Sequence, residues 1–340
     1  MSTEPNEPFV HKEEWIEHFK GWHIVDVVVR NRNRVTVLTR QTLPAEEASE
    51  IFDHDIQSRA RQLQLDRADH EQRTYRAGGV EGFNRPVLGG STLPITQELI
   101  VAKNSKGSVL ASGSGQGGME YISPEGKVPL TQRIVTIGGW AYSVGGTREI
   151  YKRTAIGQWE QFDTTGLPDS SAKYTAKGKY ISRAHMGFRD MDGPSEELLY
   201  AVGGHGEVFL YRDRRWRHCD FPSNEQLGTV TVAPDGTVYI TGEGGNLWRG
   251  QEDTWQLVER GGASVLYNDS RWFDGQLWLA SDYYVRVLQG DRLQRPSSNG
   301  EELILFGHMD ARDGLLAVAS PSTVHAYDGS NWRCLVAPYK

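Results

Sequence analysis

LGTVTVAPDGTVYITGEGGNLWRGQEDTWQLVE, residues Leu227 to Glu259, reads as four short strands joined by tight breaks. Strand A covers Thr229 to Ala233, where Val230 and Val232 face one way and Thr229 and Thr231 the other. Pro234-Asp235-Gly236 is a turn, because proline presets one backbone angle and glycine accepts a positive one. Strand B follows from Thr237 to Thr241, then the loop Gly242-Glu243-Gly244-Gly245. Strand C is Asn246 to Arg249, and strand D holds Trp255 to Val258.

This unit repeats. Tyr200, Tyr239, Trp278 and Ala317 follow one another at intervals of 39, within LLYAVGG, TVYITGE, QLWLASD and LLAVASP. Trp216, Trp255, Leu293 and Trp332 fill a second recurring slot 15 to 16 residues later. A period near forty built from short strands and glycine turns predicts an all-β protein, a β-propeller. Looser matches lie upstream. ELIVAKNSKGSVLASGSGQGGMEYI aligns Leu110 with Tyr239, GGWAYSVGGTREIYKRTAIGQW aligns Tyr142 with Tyr200, and VDVVVRNRNRVTVLTR centres on Val35. Seven B strands result, predicting a seven-bladed β-propeller, with six blades as the alternative. The last repeat ends on a strand D slot at Asn331 to Val336, so closure by an N-terminal strand is not required.

The expected organisation is an N-terminal helical extension over 1–22 and one propeller domain over 23–340, with insertions at 43–73 and 164–183. Trp15, Ile16, Phe19 and Trp22 form an apolar stripe for the first helix. A second helix is expected near residues 44–70. Thr42 would cap it, Pro44 sits in its first turn, and Ala48, Phe52, Ile56, Ala60 and Leu63 recur at helical spacing. In a propeller the B–C and D–A connections share one face of the disc (the loop face), and the A–B and C–D turns share the other (the turn face). Both insertions belong to the loop face, which is therefore the expected binding face.

Composition narrows the function. Ten Trp, fourteen Tyr and 38 Gly suit packed strands and tight turns. The formal charge of −7 argues against non-specific nucleic-acid or anionic-membrane binding. The N-terminus has no secretory pattern and no window reaches the length of a membrane span. Cys219 and Cys334 follow repeat tryptophans in different blades and read as reduced thiols of a cytoplasmic protein.

Chemical motifs are weak. No metal site is expected: Asp53-His54-Asp55 lies in the predicted helix, where neighbours diverge, and the run Arg189 to Glu197 reads as a lengthened A–B turn rather than half a calcium loop. Gly113-Ser114-Gly115-Gln116-Gly117-Gly118 satisfies GxGxxG, but MEYIS after it is a strand, so it reads as a B–C loop. No nucleophile elbow occurs and no cofactor is expected. His185 and His308 open two matching phrases, HMGFRD and HMDARD, and by analogy with WD repeats support the blades. The candidate partner-binding residues lie in the connections. Arg148, His205, Glu243, Asp282, Tyr283 and Tyr284 are in B–C loops, and Glu225, Tyr267, Glu301 and Glu302 are in D–A loops. Tyrosines beside carboxylates make anchors with a polar rim.

The recurring APDG-like turns, the glycine pair after strand B and the strand D tryptophan resemble bacterial propellers without the Trp-Asp signature. With the EEWIEHFKGW segment and the VLTR strand before a helical insertion, the chain resembles the propeller immunity proteins of toxin-delivery systems. That resemblance implies a cytoplasmic antidote to a basic protein toxin, such as a type VI secretion nuclease, whose active site it covers with a carboxylate-rich face. A generic interaction scaffold and a ligand-sensing or hydrolytic propeller enzyme are the other readings.

Overall fold

The computed structural model describes residues 7–67, 74–103, 106–123, 129–146, 148–168, 187–262 and 265–339. Seven four-stranded antiparallel sheets, each made of consecutive strands, form a ring. Their inner strands are Trp22–Asn31, Val87–Ser91, Thr131–Ile137, Phe188–Ser195, Leu227–Val232, Asp269–Phe273 and His308–Arg312. We number the blades 1 to 7 in that order. The predicted seven-bladed propeller is the one observed, not the six-bladed alternative.

The core is divided in the same way: seven buried clusters, one between each pair of neighbouring blades, including blade 7 against blade 1. This explains why the two sequence periods run in phase. A strand B residue packs forward onto the next blade, and a strand D residue of that blade packs back. Tyr200 and Trp255 thus share the cluster between blades 4 and 5, and Tyr239 and Leu293 the next. Trp278 and Trp332 share the one after, with ring centroids 6.0 Å apart.

Blade 7 is complete from its own four strands. The N-terminal segment nevertheless fastens it to blade 1. Phe9 and Val10 donate backbone N–H groups to the carbonyls of Cys334 and Leu335 at 3.0 and 2.9 Å. Their side chains and Phe19 are buried with Val35 and Val37 of blade 1 and Leu315 and Val336 of blade 7.

Several local expectations need correction. The helical insertion is present but short: one helix, Ala45–Glu50, and a 3-10 turn, Asp53–Asp55. Ala60 and Leu63 lie instead on the third strand of blade 1, Ser58–Gln64, where strand pairing buries both. Blade 2 is displaced by one strand from the sequence alignment. Gln97–Val101 is its second strand and Leu110 lies on the third, Ser108–Gly113. The GxGxxG run is therefore a C–D hairpin, with Ser114 and Gly115 both at positive φ (52° and 74°), as a two-residue hairpin requires. The first helix, Lys12–His18, leaves Ile16 exposed and buries Glu14, so the apolar stripe is incomplete. Most of the 164–183 insertion, and His185, lie outside the described residues.

Candidate functional site

Two places on a propeller offer themselves, the central channel and the loop face. The channel is a cavity of about 300 Å³ lined by residues of all seven inner strands. Its carboxylates are already engaged. Val29 N–H donates to Asp310 Oδ2 at 2.8 Å, Leu88 N–H to Asp26 Oδ2 at 2.8 Å and Val230 N–H to Asp190 Oδ2 at 3.1 Å. Val232 N–H reaches Asp192 Oδ2 at 2.8 Å, and Met309 N–H reaches Asp269 Oδ2 at 3.1 Å. In each case an inner-strand aspartate holds the amide of the next blade's inner strand.

Cations complete this network. Arg133 lies 3.3 Å from Asp190 and 2.7 Å from Asp269. Arg271 lies 2.9 Å from Asp310, and His308 Nδ1 is 3.1 Å from Asp269. Burial penalises the Asp269 charge, yet Arg133, His308 and Arg271 together hold its carboxyl well below the usual range. Burial works against the charged His308 too, but the hydrogen bond and charge of Asp269 raise it to about 9. Among the described residues no cation is bonded to Asp192, and burial raises it to about 6. The channel thus binds itself, and its polar groups serve ring closure. This corrects the reading of Arg189 to Glu197 as a long turn. Asp190 and Asp192 stand on the strand Phe188–Ser195, and the turn is only Glu196-Glu197. The sequence signal was a pair of recurring places at the start of strand A, one filled by Asp190 and Asp269 in FRD and YND and the other, two residues on, by Asp192 and Asp310.

The loop face carries the candidate partner-binding residues, which separate into two groups. Arg148 is buried, with Nη2 2.6 Å from Glu207 Oε2, and joins blade 3 to blade 4. Tyr267 is buried against Tyr284, ring centroids 6.1 Å apart. His205 is half-buried and bridges to Gln226. Glu225 accepts from Asn246 Nδ2 at 2.8 Å and Trp248 Nε1 at 2.6 Å, so it shapes its loop. Tyr284 is half-buried beneath the Arg286 guanidinium, 4.3 Å from its ring.

The second group faces outward. Glu243, Asp282, Tyr283, Glu301 and Glu302 are exposed. Their loops run side by side. Glu243 N–H donates to Gln226 O at 2.8 Å, Asn268 Nδ2 to Asp282 Oδ1 at 2.6 Å, and Val285 N–H to Leu305 O at 2.7 Å. Glu301 and Glu302 form a two-residue strand paired with Ser297–Ser298, and Glu302 meets Arg295 at 3.2 Å. Sequence reasoning missed Ile304 and did not count Phe52 as exposed. Among the described residues Ile304 (82% exposed), Phe52 (72%) and Tyr283 (71%) are the most exposed large apolar side chains, and all three lie in loop-face connections.

Comparison with known proteins decides the family. The chain is 30% identical over 244 residues to immune protein Tsi7 of Pseudomonas aeruginosa, covering 70% of this chain and 76% of that protein. This chain belongs to the Tsi7 family of immune proteins. No protein-family model matches it. Among solved structures it is similar to the WD40 β-propeller domain of Doa1 (TM-score 0.57, 12% identity, covering 88% of this chain and 90% of that one). PorZ, a surface component of the type-IX secretion system of Porphyromonas gingivalis, gives TM-score 0.57 at 11% identity over 94% of this chain and 38% of that chain. At such identities these two likenesses speak for the propeller fold alone. Among the described residues no helix is long and apolar enough to cross a membrane.

Proposed function

We propose that this chain is a non-catalytic antidote: it binds a cognate protein toxin across its loop face and covers the toxin's active site. The observation that carries this reading is the pairing of exposed apolar anchors with carboxylates on one face. Phe52 follows Glu46, Glu47 and Glu50, Tyr283 follows Asp282, and Ile304 follows Glu301 and Glu302, every one of these acids exposed. Interfaces are built this way, from a few large anchors within a polar rim, and exposed carboxylates speed encounter with a basic partner. A nuclease fits best, since its substrate groove must attract phosphate and would meet these carboxylates in place of DNA. The family's immune protein supports the antidote role, and the face supports the basic partner.

The test uses the toxin encoded beside this chain. Co-expression should rescue cells, and Glu243→Lys, Asp282→Lys, Glu301→Lys and Glu302→Lys together should weaken toxin binding at least about tenfold while leaving thermal unfolding unchanged. Unaltered affinity in calorimetric titration would move the interface off this part of the face.

A further inference from the structure

A recess of about 650 Å³ opens on the loop face at blade 5. The connection from blade 4 forms one wall with Pro222 and Glu225, and the outer strands of blade 5 form the other with Trp248 and Leu257. Trp248 and Leu257 are paired neighbours on those strands, and both are half-buried. Asn246 and Trp248 stand two residues apart on an extended stretch, so their side chains share a side and both reach the Glu225 carboxylate.

Glu225 therefore does more than shape its loop. Each of its oxygens accepts from a neutral donor, which fixes its position without cancelling its charge. Among the described residues no cation lies within ion-pair distance of it. Gly242 makes room for this placement, because a Cβ there would stand 2.3 Å from the Glu225 carboxyl. Glu243 adds a second, exposed carboxylate on the same recess. Arg260 lines it too, but among the described residues no ion pair joins it to either acid.

A carboxylate has about four acceptor sites, and two donors leave the others open. A charged donor fills them best, since charge-assisted hydrogen bonds are about twice as strong as neutral ones. The apolar walls favour a cation on a hydrocarbon stem, whose methylenes they cover. Among the described residues no group of three or more metal-ligating side chains is gathered, so the recess suits an organic cation rather than a metal ion.

We propose that this recess receives one lysine or arginine side chain of the toxin, its head on Glu225 and Glu243 and its stem on Trp248 and Leu257. The assignment rests on the antidote reading and names the group that the loop face selects. Glu225 is set in place before binding, so the contact rewards a toxin that presents its cation at this one position. It adds specificity to the general attraction of the acidic loops.

The probe is n-butylguanidinium, with n-butanol as the uncharged control, both titrated at constant ionic strength. The Trp248 indole N–H resonance reports binding, since that group donates to Glu225, and Trp248→Phe identifies it among the ten tryptophans. A saturable shift with butylguanidinium and none with butanol is expected. Glu225→Gln keeps an acceptor for the same donors, so thermal unfolding should match the parent while probe binding falls about tenfold or more. Glu243→Gln, on an exposed side chain, should weaken the probe about twofold to fivefold. A shift that never saturates, that butanol reproduces, or that both variants leave intact overturns the site. Bound toxin should abolish the probe's shift, and Glu225→Gln should weaken the toxin complex about tenfold or more. A toxin complex that leaves the shift intact would overturn the side-chain assignment. Failure of toxin to bind at all would sink the antidote reading, and this assignment with it, while the cation site measured by the probe still stood.

Discussion

Trp216 shows what a single residue contributes to this wheel. Its ring is fully buried between blades 3 and 4, 5.1 Å from Tyr211 and 5.9 Å from Phe188, and its Nε1 donates to the Asp163 carbonyl at 2.7 Å. Trp216→Ala should cost about 3–5 kcal/mol in urea unfolding, since the cavity and the orphaned carbonyl add to the lost transfer energy. Trp255, in the same repeat slot, is only half-buried, and its alanine variant should lose less than about half of that. Arg153 is the other sensitive position. It is fully buried, its Nε donates to Glu120 Oε2 at 2.9 Å and its Nη2 to Gln97 at 2.7 Å, and Trp159 Nε1 donates to Glu120 at 2.9 Å. Arg153→Met strands the Glu120 charge between blades 2 and 3, and a loss of about 3–5 kcal/mol is expected; under about 1 kcal/mol would mean that water reaches the carboxylate. The two tryptophan slots were legible because a periodic aromatic marks packing. Arg153 and Glu120 were not, because nothing near either residue points to a partner 33 positions away. The same limit applied to Arg148 and Tyr267. Both are in connections, but one folds back on Glu207 and the other under Tyr284, contacts that loop position alone does not reveal.

At the scale of elements, the inner strands carry the information that the repeat concealed. Alternation predicted strands correctly where valine and threonine dominate, as in Leu227–Val232, and failed where aspartates interrupt, as in Phe188–Ser195. Those aspartates look like turn residues, yet they serve as acceptors for the neighbouring blade's amides. The expected helix ends early for a related reason: Ala60 and Leu63 satisfy helical spacing by chance, and pairing with the second strand of blade 1 outweighs it. A pH dependence follows from the channel. His308 faces Asp269, Asp26 and Arg133 and is raised to about 9 from its ordinary 6.5. A raised histidine binds its proton more tightly in the folded state, so its stabilisation is complete below about 6.5 and is lost as pH climbs to 9 and beyond. Urea midpoints of the parent should therefore fall between pH 6.5 and 9, and His308→Gln should flatten that limb. Equal slopes in the two proteins would remove His308 from the account.

For the whole molecule, seven clusters between seven blades and the N-terminal clasp from Phe9 and Val10 to the last strand make a closed disc with two unlike faces. The period of 39 made the wheel readable from four clear repeats, while blade 2 slipped by one strand because two strand–turn pairs in a row resemble each other. What that wheel presents was only partly readable: the acidic loops were seen, the apolar anchors Phe52 and Ile304 were not, since exposure of an apolar residue cannot be read from its type. The central claim is that the toxin sits on the loop face. Hydrogen exchange of this chain with and without the proposed toxin tests it most directly. Protection should concentrate in the connections around Phe52, Glu243, Tyr283 and Ile304, with the turns at Asp235, Asp274 and Asp313 unchanged. Protection confined to those turns instead would contradict the account.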